Sequence, residues 1–289
     1  MLVLSFRSFT YNTLILQMKI LRNSNQLFKL LKKLDTNIGF VPTMGGLHKG
    51  HVSLIKKSKK MGLKTLVSIF INPKQFNNIN DYKNYPRNLL KDLRILKENN
   101  PDFLFIPSNK DIFRKQSKKK IKLDKFHKYL CGRFRPGHFE GVVDIIERFI
   151  KIINPKYIFL GNKDYQQLIL IKKHIKKKFK TIVVGCNTIR NKNGFALSTR
   201  NYLLTRKEKL IGSKVYKLLR KNKKSFTKKQ KKNLLISYLK NEILNLGVKK
   251  IDYLEAVDIV KNTKLTKKTK KFKLFIAYYL RNIRLIDNI

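Results

Sequence analysis

The chain has 289 residues, 42% of them hydrophobic, enough for one large domain or two modest ones with a real core. Its formal net charge of +50 comes from 67 Lys and Arg against 17 Asp and Glu, but the lysine runs recur along most of the chain. That spread speaks for a solvated basic surface with salt-sensitive attraction to polyanions and against a dedicated nucleic-acid face.

No stretch approaches the roughly 18–20 apolar residues of a membrane helix. Cys131 and Cys186 lie far apart, offering neither a disulfide framework nor metal-type spacing, which suits a reducing compartment. Residues 1–17 are mildly apolar and lack acids. They read as an extension, a transit-type leader or an early start, with Met18 an alternative beginning.

From residue 38 onward, short apolar runs alternate with helical patterns. Strands are expected at 38–42, 65–71, 102–106, 157–160 and 181–185; helices are expected at 51–61, within 81–98 after Pro86, at 141–153 and at 165–177. This alternation predicts an α/β fold, a Rossmann-like parallel sheet covered by helices. The texture then changes to helices at 206–220 and 225–246 and strands at 251–257 and 273–279, a smaller α+β unit. The expected division is an extension at 1–17, a Rossmann-like domain at 18–187 and a C-terminal lid domain at 188–289.

Two stretches carry candidate chemistry. The run Met44, Gly45, Gly46, Leu47, His48, Lys49, Gly50, His51 follows the first strong strand and opens a helix. Glycines let a ligand approach the backbone, and a helix N-terminus offers unpaired N–H groups to phosphate. Two imidazoles three residues apart can reach one pocket. Capping and turn roles for these histidines compete with that reading. Further on, Ser198, Thr199 and Arg200 place hydroxyls and a guanidinium in one loop, suited to polyphosphate, although an ordinary solvated turn fits them too.

The wider set of motifs is far more specific. FVPTMGGLHKGH at 40–51 resembles the pantothenate synthetase pattern FVPTMGALHEGH, and the His-x-Gly-His element is similar to that of the nucleotidyltransferase superfamily. SIFINPKQF at 68–76 resembles SIFVNPxQF. Tyr85-Pro86-Arg87 with Asp92, RPGHFEGV at 135–142, GNKDYQQL at 161–168, GFALSTRN at 194–201 and RLIDN at 284–288 resemble further family motifs in the same order. The resemblance covers nearly all of the chain from about Met18.

That resemblance implies an activity and a set of residue roles. The activity is ATP-dependent condensation of pantoate with β-alanine through a pantoyl-adenylate, by a cytoplasmic homodimer using Mg²⁺, with no specific nucleic-acid or membrane partner. By the same resemblance, Met44 to His51, Gly161, Asn162, Lys163, Asp164, Ile189, Leu197, Ser198, Thr199 and Arg200 bind ATP. His48, His51 and Lys163 are catalytic; Gln75 holds pantoate and β-alanine, and Gln167 holds pantoate. Asn72 supports them, Asp92 is a candidate for Mg²⁺, and Arg135 and His138 shape the site or a dimer contact.

Lys49, Cys131, Glu140, Asn162 and Thr199 depart from the family's usual Glu, Glu, Arg, Glu and Ser. These departures bear on affinity and rate more than on reaction type. Two rival readings compete: another nucleotidyltransferase, which would not need Gln75 and Gln167, and a polyanion-binding protein without activity.

Overall fold

The computed structural model describes residues 18–34, 36–113, 121–227, 232–266 and 268–289. The extension at 1–17, the lysines at 118–120 and residues 228–231 of the expected second C-terminal helix lie outside these.

Six strands form an all-parallel sheet: β1 (Lys19–Leu21), β2 (Ile38–Thr43), β3 (Lys64–Ile69), β4 (Phe103–Phe105), β5 (Tyr157–Gly161) and β6 (Ile182–Cys186). Their spatial order is β1-β4-β3-β2-β5-β6. Between them run α1 (Ser24–Leu31), α2 (Lys49–Lys60), α3 (Ile79–Lys83), α4 (Leu89–Asn99), α5 (Asn109–Ile112), α6 (Cys131–Phe134), α7 (His138–Ile153) and α8 (Tyr165–Lys176).

Side chains alternate across the sheet, as a period of two requires. Phe40, Leu66, Phe105 and Ile158 point to the face covered by Val142, Ile146, Phe149 and Ile150 of α7. Val41, Val67, Leu104 and Phe159 point to the other face, against Leu54 and Ile55 of α2 and Leu96 of α4. Both faces are thus apolar, which explains why these strands read as continuous hydrophobic runs.

Strand β2 pairs with β3 on one side and with β5 on the other, so the winding direction reverses there. The crevice beyond the carboxyl ends of such neighbouring strands is where open α/β sheets bind ligands. The loops after β2 and β5 carry the His-x-Gly-His and Lys163–Asp164 segments.

The chain continues through α9 (Arg206–Asn222), α10 (Lys232–Asn245), β7 (Lys250–Asp258), β8 (Thr263–Lys264), β9 (Phe272–Leu280) and β10 (Ile283–Asn288). These strands form an antiparallel sheet in the order β10-β9-β7-β8. Its own core includes Val215, Leu219, Leu239, Ile243, Leu254 and Ile276. A separate apolar cluster joins the lobes, with Phe126, Leu130, Phe139 and Leu170 packed against Tyr253, Val257 and Phe275.

The expected fold class is therefore observed, with local differences. The helix expected within 81–98 after Pro86 is α4, and Pro86 separates it from the short α3, because proline disfavours helical geometry at the residue before it and lacks an N–H. Strand β1 and helix α1 were not anticipated, and β10 was legible only as a motif. The expected helix at 225–246 begins at Lys232, after a 3₁₀ turn at Lys223–Thr227. Among the described residues no helix is long and apolar enough to cross a membrane.

Candidate active site

A cavity of about 310 Å³ opens at the sheet's switch point, walled by both lobes. His48, His51, Gln75, Lys163 and Gln167 all line it, together with Met44, Gly50, Gly161, Asp164, Ile189, Leu197, Ser198, Thr199 and Arg200. Gly45, Gly46, Leu47, Lys49, Asn162 and Asp92 do not.

His48 caps α2: its Nδ1 accepts a hydrogen bond of 3.0 Å from the amide of Gly50. That bond fixes the tautomer, leaving Nε2–H as a donor. The His51 ring lies 4.1 Å from it, centre to centre, tilted by 39°, and its buried Nδ1 has no hydrogen-bond partner among the described residues. Both rings are held uncharged. Burial first, then the neighbouring His51 and Lys163, lower the His48 pKa to about 2. Burial lowers that of His51 to about 4, with Asp164 pulling upward and Lys163 downward. Neutral imidazoles at a helix N-terminus supply N–H groups and a positive dipole end to an anion.

The loop before them is clamped from two sides. Asp92 on α4 is buried, and its two oxygens accept from the amides of Gly46 (2.9 Å) and Leu47 (2.7 Å). An unpaired buried amide would cost on the order of 1–3 kcal/mol. Asp92, the candidate for Mg²⁺, is thus occupied as a loop clamp and lies outside the cavity wall. Among the described residues no group of three or more His, Cys, Asp or Glu is arranged to hold a metal. From the other lobe, Thr199 Oγ1 donates to the Gly46 carbonyl (3.1 Å) and the Tyr202 hydroxyl to that of Leu47 (2.6 Å). Gly46 has φ of 60°, and a Cβ there would stand 2.2 Å from Thr199 Cγ2, so with threonine at 199 any side chain at 46 would force one of the two loops to shift.

Gln75 sits in a short 3₁₀ turn and its side-chain amide reaches Met44 Sδ. The backbone carbonyl of Gln75 accepts from His138 Nδ1 (2.7 Å) and Arg135 Nη2 (3.1 Å), while Arg135 Nη1 lies 3.0 Å from His138 Nε2. Burial, then the Arg135 charge, lowers the His138 pKa to about 3. The neutral ring therefore donates from Nδ1 and accepts at Nε2. Arg135 and His138 thus hold the turn that carries Gln75. Helix α7 can approach that turn because Gly141 has no side chain: a Cβ would meet the Lys74 carbonyl oxygen at 2.4 Å. Asn72 donates to the Gly141 carbonyl (3.0 Å).

The adjacent glutamines diverge. Both line the cavity, but Gln166 is buried and committed, donating to the carbonyls of Phe126 and Tyr129 and accepting from the Cys131 amide. Lys163 Nζ lies 3.4 Å from Asp164 Oδ1. The turn that presents them is tied down by Asn288 of β10, whose Nδ2 donates to the carbonyls of Asn162 (2.9 Å) and Lys163 (2.8 Å). Next to it, Arg190 forms a two-point ion pair with Asp287. Ser198 is locked by a reciprocal pair of bonds with Asn201, and Arg200 pairs with Asp81 of α3. Of these supports, Asp81 and Tyr202 lay outside every motif, while Gln166, Asn201, Asp287 and Asn288 lay within motifs but carried no role, because a supporting role is set by contacts formed only in the fold.

Cationic and amide donors converging at the switch point of a parallel sheet, with a second lobe tied across it, define a Rossmann-like nucleotide-using enzyme. The Pantoate-beta-alanine ligase family model matches residues 17–289, and the chain belongs to that family. It is 40% identical over 276 residues to the pantothenate synthetase of Francisella philomiragia, covering 94% of this chain and 97% of that one. A crystal structure of pantoate-beta-alanine ligase from Francisella tularensis, complexed with beta-gamma ATP and beta-alanine, is similar at 38% identity with a TM-score of 0.81, covering 94% of this chain and 97% of that one. The pantothenate synthetase structure from Thermus thermophilus is similar at 28% identity with a TM-score of 0.85, covering 94% and 99%.

Proposed function

We infer that this chain joins pantoate to β-alanine at the expense of ATP, giving pantothenate, AMP and pyrophosphate. The observation that carries the reading is the convergence of His48, His51, Gln75, Lys163 and Gln167 on one cavity. In the first step the pantoate carboxylate attacks the α-phosphorus of ATP and pyrophosphate leaves. In the second, the β-alanine amine attacks the acyl carbon of the mixed anhydride; AMP leaves and the amine loses a proton.

Gln75 and Gln167 orient pantoate through amide hydrogen bonds that leave its carboxylate nucleophilic, and Gln75 then faces β-alanine. Lys163 sits at the α-phosphate and offsets charge that grows during displacement. His48 and His51 donate N–H groups to phosphate oxygens. Asp164 accepts from the ribose hydroxyls, Ile189 and Leu197 flank the base, and Ser198 and Arg200 hold the outer phosphates. Thr199 contributes by tying its loop to Gly46. Gly45, Gly46 and Leu47 shape the phosphate loop from outside the wall. The second lobe, from residue 188, acts as a lid that shelters the anhydride from water.

The same reading extends to a cytoplasmic homodimer. Mg²⁺ would supply charge neutralisation on the nucleotide's phosphates; among the described residues no group of three or more His, Cys, Asp or Glu is arranged to hold it.

The test is AMP formation by the purified protein with each substrate omitted in turn. AMP should form only when ATP, pantoate and β-alanine are all present. AMP release that ignores pantoate would overturn the reading and favour another nucleotidyl transfer.

A further inference from the structure

Arg200 lines the cavity, yet its guanidinium is already engaged by a carboxylate on α3. Asp81 Oδ1 accepts from Nε (3.2 Å) and Nη2 (3.0 Å), and Oδ2 accepts from Nη2 (2.7 Å). This contact uses the side edge of the fork. Nη1 donates no hydrogen bond to the described residues, and a guanidinium has five N–H donors in a fixed plane. The end edge, formed by Nη1 and the second Nη2 hydrogen, therefore stays available. The face of the same group lies 5.6 Å from the centre of the Tyr85 ring, and Tyr85 is buried. One short segment, residues 79–85, thus fixes Arg200 by its edge and its face.

We propose that Asp81 is a positioning residue for the triphosphate, holding the side edge of Arg200 so that its end edge is presented to the outer phosphates. This rests on the ligase reading of the cavity. A carboxylate beside an anion site costs attraction, so orientation must outweigh charge for this role to hold. Charge still favours an anion here, because Lys163, Arg135 and Arg284 line the same cavity against Asp164 and Asp287, and the chain carries a net +50. An unanchored arginine, by contrast, must lose its rotamer freedom each time ATP binds, and that cost weakens binding directly.

The test uses the full chain, with ATP affinity by calorimetric titration and steady-state kinetics beside it. Asp81→Asn should raise the ATP dissociation constant and KM about tenfold while lowering kcat less than about threefold. Asp81→Glu, which can restore the carboxylate contact, should return both to within about threefold of the parent. Combining Asp81→Asn with Arg200→Ala should be no worse than Arg200→Ala alone, within about twofold, because the first change acts only through the second residue. Unchanged or tighter ATP binding in Asp81→Asn, or effects that multiply in the double variant, would overturn the proposal. Failure of the parent protein to make AMP from the three substrates would defeat the ligase reading, while the ATP titrations would still decide the role of Asp81.

Discussion

The two lobes contribute to the cavity in different ways. The parallel-sheet lobe supplies the imidazoles, amides and ammonium that line the cavity at His48, His51, Gln75, Gln167 and Lys163, from strand-end loops and the starts of helices. The C-terminal lobe supplies mainly ties. Thr199 and Tyr202 hold the carbonyls of Gly46 and Leu47, and Asn288 holds those of Asn162 and Lys163. Parallel strand ends aim side chains into a common crevice, but their loops leave backbone carbonyls unpaired. A second lobe can satisfy those carbonyls and, by doing so, set the spacing between two loops of the first. Chemistry and alignment are thereby assigned to different parts of the chain.

If that division holds, the largest effects come from the first lobe. Lys163→Ala and His51→Ala should each lower AMP formation by about 100-fold or more, through lost stabilisation of phosphoryl charge, with thermal stability little changed. Asn288→Ala removes no group that touches substrate but unpairs two carbonyls at the Lys163 turn. Its turnover should fall about tenfold, with ATP affinity less affected, because it disturbs placement rather than charge. Kinetics for Asn288→Ala matching the parent would break the comparison.

A smaller effect sharpens it. His48, His51 and His138 are held neutral, with pKa values lowered from 6.5 to about 2, 4 and 3. In the unfolded chain they take up protons near 6.5, so the unfolded state binds more protons than the folded one from about pH 6.5 down to about 2. Stability should therefore be complete above pH 6.5 and fall as pH drops below it, most steeply between about 6.5 and 4, where all three histidines contribute. The kcat/KM for ATP should show no ordinary histidine inflection near about 6.5. Melting temperatures and rates across that range check both statements.

Much of the first lobe was legible in the sequence, because buried parallel strands leave apolar runs and the helices between them carry a roughly 3.6-residue pattern. Strand β1 was not, since three residues carry no usable period and its place depends on pairing with β4. The His-x-Gly-His loop was visible because its glycines and imidazoles follow a strand directly. The ties were invisible for a different reason. Asp92, an acid on a surface-patterned helix, gains its meaning only from the amides of Gly46 and Leu47, 45 or more residues away. Gln166 and Gln167 are chemically identical in sequence, and only the helix rotation at the start of α8 commits the Gln166 amide to the carbonyls of Phe126 and Tyr129.

The most direct test of the central claim is exchange of labelled pyrophosphate into ATP without β-alanine, which isolates adenylate formation in the inter-lobe cavity. The parent protein should show exchange that depends on pantoate, Asn288→Ala should retain about a tenth of it, and Lys163→Ala should retain about a hundredth or less. Exchange that proceeds without pantoate, or at full rate in Lys163→Ala, would contradict the account.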